Sequence, residues 1–151
     1  MKMFLIVFGI ATVAPAQTPP PATYKNGAEL MAIVRDKAKA APQDQVSAAV
    51  TNEDAYRINM VHRNTPGVAM AHATGPAKGT EVHYIIEGSA TVITGGSIMH
   101  PAGTTTTIEG GVVHHLTKGD VLVIPAGTPH WYKEVTSPVT YLEVRFDVEK
   151  K

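Results

Sequence analysis

Seven histidines and no cysteine set the terms for any chemistry in this chain. A thiolate metal site and a disulfide framework are both excluded, so a bound metal must take its ligands from His, Asp or Glu. The best-placed donor is His130, at the end of Gly119-Asp120-Val121-Leu122-Val123-Ile124-Pro125-Ala126-Gly127-Thr128-Pro129-His130. Val121 to Ile124 is apolar and mostly β-branched between a glycine and a proline, which reads as a strand. Pro125 and Gly127 fix a tight turn, and Thr128 is held extended by the proline after it. His130 is therefore delivered on a rigid element, the support a metal ligand needs. The bland alternative is a buried histidine satisfied by a backbone carbonyl.

The order G-x5-P-x-G-x2-H ending at His130 resembles the second signature motif of the cupin family. In that family the histidine is usually a metal ligand inside a small β-barrel. Glu81 and Gly88 match the end of the family's first motif, H-x-H-x(3 or 4)-E-x6-G. Upstream the chain departs from it. His72 is present, but Met70 and Thr74 stand where a partner histidine would be, and the loop to Glu81 is longer. Glu134 stands where most members close the second motif with asparagine. The resemblance spans Val68 to Phe146.

Strand parity offers a compensation. Glu81 and His83 point to the same face of a strand, ~7 Å apart. The expected ligand set is thus His72, Glu81, His83 and His130, with His62 in reserve, around one divalent ion. Fe, Mn, Ni and Zn all suit such a set. The alternatives are a solvated Glu81 at a loop mouth and a His83 that hydrogen-bonds a small ligand.

The elements that must position these groups can be read from the pattern. Asn26 to Ala41 reads as a helix, with Leu30, Ile33, Val34 and Lys37 at helical spacing and Pro42 as its stop. From Ser47 onward the pattern is β. The expected strands are 55–63, 68–72, 80–86, 90–94, 104–108, 112–116, 121–124, 130–135 and 139–146, with Glu87-Gly88 as a hairpin turn. On the first, Tyr56, Ile58, Met60 and His62 share one face. On the last, Thr140, Leu142, Val144 and Phe146 are expected to face inward and Tyr141, Glu143, Arg145 and Asp147 outward. Many short strands between turns predict an all-β fold. The resemblance implies a double-stranded β-helix, or jelly-roll barrel, with one N-terminal helix. Met60, His62, Met70, Ile85 and Trp131 are expected to bind substrate, and Tyr132 and Glu134 to move protons. Only one of the adjacent Trp131 and Tyr132 can line a cavity. Val82, Tyr84 and Ile86 are apolar on the other face of their strand, which needs a cover: the helix, a second layer or a second subunit in a homodimer.

Thirteen basic and thirteen acidic residues cancel, so no nucleic-acid surface or basic membrane patch is expected. Residues 1–16 combine Lys2, an apolar run from Phe4 to Val13 and small residues at Ala14 and Ala16, the pattern of a cleavable export signal. That run is too short to span a bilayer, so no stable anchor remains after cleavage. A Pro-rich tether at 17–25, the helix and linker at 26–46 and a barrel at 47–148 complete the organisation. The expected function is an exported, periplasmic or secreted metal-dependent enzyme acting on a small organic molecule, of oxygenase, isomerase or lyase type. The alternatives are a small-ligand-binding barrel without turnover and a metal-free structural barrel. N-terminal sequencing of the exported protein should begin at Gln17; a start at Met1 would refute cleavage.

Overall fold

The computed structural model describes residues 20–42, 45–53, 55–71 and 79–147. The export-signal stretch and His72 lie outside the described residues. Helix α1 (Gly27–Ala40) begins where the Asn26 side chain accepts from the backbone N–H groups of Ala28, at 2.9 Å, and Glu29, at 3.3 Å. This cap satisfies two donors that the first helical turn leaves open. Glu29 in the first turn and Lys37 and Lys39 in the last run with the helix dipole. Leu30, Val34 and Ala38 form the buried stripe, four residues apart, while Ile33 stays exposed. The packed face is therefore rotated slightly from the expected one.

Among the described residues eight antiparallel strands follow: β1 (Gln45–Asn52), β2 (Tyr56–Arg63), β3 (Thr80–Thr94), β4 (Ser97–Met99), β5 (Thr107–Glu109), β6 (Val112–Thr117), β7 (Val121–Ile124) and β8 (His130–Phe146). The main sheet runs β1-β2-β8-β3-β6, with β7 also paired to β3. β4 and β5 form a separate hairpin. The N-terminal part of β3 pairs with β7, and its C-terminal part pairs with β6. β8 accompanies β3 along both parts. The two long strands thus belong to both walls of a jelly-roll sandwich. Its core includes Val61, Ile85, Val92, Leu122, Ile124 and Val139.

Two expectations are corrected here. Residues 80–94 form one strand, not two joined by a hairpin at Glu87-Gly88, and residues 130–146 likewise run unbroken. The register between β3 and β8 shifts between Ile85 and Glu87, between Glu87 and Ser89, and again at Ala90. Such bulges bend a strand without ending it. Gly88 sits at the bend with φ +82°, and a Cβ there would collide with the carbonyl oxygen of Pro138 on β8. The turn signal was real, but it curves the sheet instead of reversing the chain. The second correction is at 68–72, where Met70 makes only an isolated bridge to His130.

Helix α1 lies on the outer face of β1 and β2, where Leu30 and Val34 meet Ala48 and Met60, with Ile86 beside them. Met60 is therefore a back-face core residue and not a cavity wall. Polar contacts stitch the same face: Arg35 to Glu87 at 2.9 Å, Thr140 Oγ1 to Glu87 at 2.9 Å, and His62 Nδ1 with Thr140 Oγ1 at 2.7 Å. His62 belongs to this network, across the sheet from the inner face. Cover by the helix ends at Ile86; Tyr84, Val121 and Val123 remain exposed.

Gly88→Ala should lower stability by at least ~2 kcal/mol in urea unfolding, combining left-handed backbone strain with the collision. Gly95→Ala, with φ +73° but open space around it, should cost less. Equal losses would show that the contact with Pro138 does not shape the bend.

Candidate metal centre

The inner face of the β2-β8-β3-β7 wall is set by the cross-strand register. Glu81 stands opposite Arg145 on one side and Ile124 on the other; His83 stands opposite Glu143 and Leu122; Ile85 stands opposite Tyr141. Asn59 and Val61 on β2 face Glu143 and Tyr141. Tyr141, Glu143 and Arg145 therefore point inward, which corrects the expected parity of β8. The apolar set Leu142 and Val144 lies on the helix side, paired with Met60 and Ile58.

Glu81, His83, Tyr141, Glu143 and Arg145 line a cavity of about 290 Å³, together with Gln45, Arg63, Val68, Met70, His130 and Tyr132. One donor atom each from Glu81, His83 and Glu143 lies within 4.8 Å of the other two, and all three side chains are buried. Metal–ligand bonds of about 2.0–2.2 Å put donors on opposite sides of one ion ~4 Å apart, so this trio has the spacing and chemistry to hold a divalent cation. His83 Nε2 is 3.2 Å from Glu81 Oε2 and 3.9 Å from Glu143 Oε2. His130 Nε2 is 4.0 Å from the same Glu81 oxygen.

Each histidine is aimed by its second nitrogen. His130 Nδ1 lies 3.2 Å from the carbonyl of Thr128. A carbonyl can only accept, so Nδ1 carries a hydrogen and the ring turns Nε2 toward the cavity, where it can ligate once unprotonated. The Pro125–Gly127 turn supports this, with Thr128 N–H bonded to Pro125 O at 3.0 Å. His83 Nδ1 is 3.0 Å from the hydroxyl of Tyr132. Tyr132 and Tyr141 stack at 5.3 Å, and Tyr141 packs 4.6 Å from the His83 ring. Burial pushes both phenols up, Tyr141 to about 12, so both keep their protons.

Arg145 is the cation nearest the two carboxylates. Its guanidinium lies 3.1 Å from Glu81 and 3.4 Å from Glu143. Burial alone would raise the Glu81 pKa. The hydrogen bond with His83 and the charges of His130 and Arg145 outweigh it and hold the carboxyl at about 2.

Of the expected site residues, the structure brings Glu81, His83, His130, Tyr132 and Met70 to one cavity. Ile85 is buried in the core beneath it. Trp131 packs with Ala69, Ile93 and Ile108 and donates to Gly67 O at 2.8 Å, outside the cavity. Glu134 is exposed: a register shift between Thr91 and Val92 sets it opposite Thr91 and breaks the alternation from Tyr132. Glu143, Arg145, Arg63 and Tyr141 were missed. For Tyr141, Glu143 and Arg145 the signal lay in the strict alternation of 141, 143 and 145, read with the wrong face inward, and for Arg63 in the matching alternation of 57, 59, 61 and 63 on β2.

The family model described as Cupin matches residues 40–146. No curated protein matches this chain in sequence. Among solved structures, TT1209 from Thermus thermophilus is 18% identical with a TM-score of 0.55, covering 83% of this chain and 98% of its own. HppE, solved with Co(II) and substrate, is 14% identical with a TM-score of 0.52, over 68% of this chain and 52% of that one. The DMSP lyase DddQ from Ruegeria pomeroyi DSS-3 is 17% identical with a TM-score of 0.50, over 74% and 52%. The chain spans about half the length of these last two. At such identities the likeness is one of fold.

The metal-free protein should report the Glu81 environment through its acid limb. The folded-state pKa lies below the unfolded one, so ionised Glu81 contributes stability above about pH 4.5 that is lost as pH falls toward 2. The contribution is about 3 kcal/mol. Glu81→Gln should flatten urea midpoints across that window relative to wild type; an unchanged slope would refute the assignment.

Proposed function

The chain belongs to the cupin family, and on that premise we propose that its barrel holds one divalent metal ion through Glu81, His83, Glu143 and His130 and acts on a small organic molecule. The observation that carries this reading is the convergence of the Glu81, His83 and Glu143 donors within 4.8 Å inside a cavity. Fe, Mn, Ni and Zn all match mixed imidazole and carboxylate ligands. A bound ion with an open position would supply Lewis acidity to a substrate oxygen.

The protein's own groups prepare that position. Before metal enters, His83 Nε2–H donates to Glu81 and Nδ1 accepts from the Tyr132 hydroxyl. Ligation needs the Nε2 lone pair, so the ring must carry its proton on Nδ1 instead. Tyr132 serves both tautomers, because a hydroxyl can donate or accept. Its role in this reading is to fix the ring and follow the proton. Glu134 has no part in it. Val68 and Met70 supply apolar wall and exclude water around a ligand. Export from the cell, and a homodimer through the exposed stripe of Tyr84, Val121 and Val123, complete the proposal.

Arg145 favours a second reading, a small-ligand-binding barrel without turnover. Its guanidinium already pairs with both carboxylates, at 3.1 and 3.4 Å, and supplies positive charge that a metal would otherwise bring.

Elemental analysis of protein purified without chelator separates the two. Near one equivalent of Fe, Mn, Ni or Zn is expected in wild type. His83→Ala and Glu143→Gln should weaken metal affinity by at least ~10–100-fold, while His115→Ala, on an exposed side chain bonded to Thr91, should leave it unchanged. Wild-type protein that neither carries nor takes up metal would overturn the metal reading in favour of the binding barrel.

A further inference from the structure

Arg63 ends β2 on the inner face and lines the cavity, yet it has no role in holding the Glu81–His83–Glu143 cluster. It is 7% exposed. One terminal nitrogen donates to Gln45 Oε1, and the guanidinium carbon lies 4.9 Å from the centre of the Tyr132 ring. A Cβ on Gly67 would press into the guanidinium, so the glycine makes room for it. Its Nε–H is shut off from solvent and has no hydrogen-bond partner among the described residues. Burying a guanidinium without a carboxylate opposite is costly, and buried charges are ordinarily paired.

We propose that Arg63 receives the acid group of a small organic carboxylate, whose remainder extends toward the Glu81–His83–Glu143 cluster. The inference rests on the cavity being the ligand site and names its substrate class. The planar fork of a guanidinium matches a carboxylate, and the Tyr132 ring packs against it. Gln45 and the protonated Tyr141 phenol, the polar groups beside Arg63, carry no charge, so the Arg63 charge is left for the ligand. Arg145 also has a buried Nε without a partner among the described residues, but its charge is already met by Glu81 and Glu143, which sets Arg63 apart. The charge balance points the same way. The two arginines and two glutamates of the wall cancel, and a divalent ion in the cluster would leave it doubly positive. The cavity, at about 290 Å³, is at the small end of ligand sites, which limits the acid to a short one.

The experiment is calorimetric titration of acetate, malonate, succinate and glutarate, each against its neutral amide, into wild type and Arg63→Gln, with and without added Zn. At least one acid should bind wild type with a Kd below about 10 mM and at least tenfold tighter than its amide. Arg63→Gln should lose at least tenfold in affinity for that acid, with its metal stoichiometry unchanged. The acid–amide comparison needs no variant, so it decides even where Arg63→Gln fails to fold. Absence of any acid binding, equal binding of acid and amide, or undiminished binding by a folded Arg63→Gln would each overturn the proposal. Metal content is read on the same samples, so loss of the metal reading is seen separately from loss of the acid site.

Discussion

A carboxylate kept ionised out of contact with bulk water is the constraint around which this molecule is organised. Glu81 is 2% exposed, and its side chain meets His83, Arg145 and His130. An isolated buried carboxylate would take up a proton to escape the desolvation cost. Here the cross-strand ladder supplies the counter-charges. Arg145 stands directly opposite Glu81, and His83 directly opposite Glu143, so each carboxylate faces a nitrogen-bearing side chain across one face. The polar cluster is thus a product of strand register and not of loop conformation.

That register depends on how the two long strands bend. β3 and β8 pass from one wall of the sandwich to the other through successive shifts around Gly88 and Pro138. The bend lets one end of β8 present His130 and Tyr132 while the other presents Tyr141, Glu143 and Arg145 to the same cavity. His130 is further pinned by its two backbone bonds with Met70, at 2.8 and 3.0 Å. The strongest sequence motif and the weakest thereby meet across one space, although they lie nearly fifty residues apart, from Glu81 to His130.

The fold class, the helix ended by Pro42, the strand at Val121–Ile124 and the convergence of Glu81, His83 and His130 were legible in the sequence. They rest on helical spacing, on β-branched runs between turn residues, on side-chain parity along one strand, and on the motif that ends at His130. What was not legible has a common cause. Parity says which residues share a face, but not which face is the inside. On β2 and β8 the apolar faces, Met60 with Leu142 and Val144, looked like the interior and in fact lie on the outer side, where α1 packs. The charged face looked solvated and in fact lines the cavity. The hydrophobic rule inverts wherever a helix covers the outside of a barrel whose inside holds a polar site. Bulges added the second source of error, since each shift of register resets the alternation, as at Glu134.

β8 therefore separates two environments one residue apart: Leu142 and Val144 look toward the helix, Glu143 and Arg145 into the cavity. This makes the strand unequally tolerant of different kinds of genetic change. A substitution alters one environment and leaves the other standing. Loss or gain of a single codon between Val139 and Phe146 would rotate every following side chain to the opposite face, placing leucine and valine beside Glu81 and thrusting two charges beneath the helix. Length variation across relatives of this chain is accordingly to be sought in the turns, where a bulge or loop can absorb it, and not within the strand.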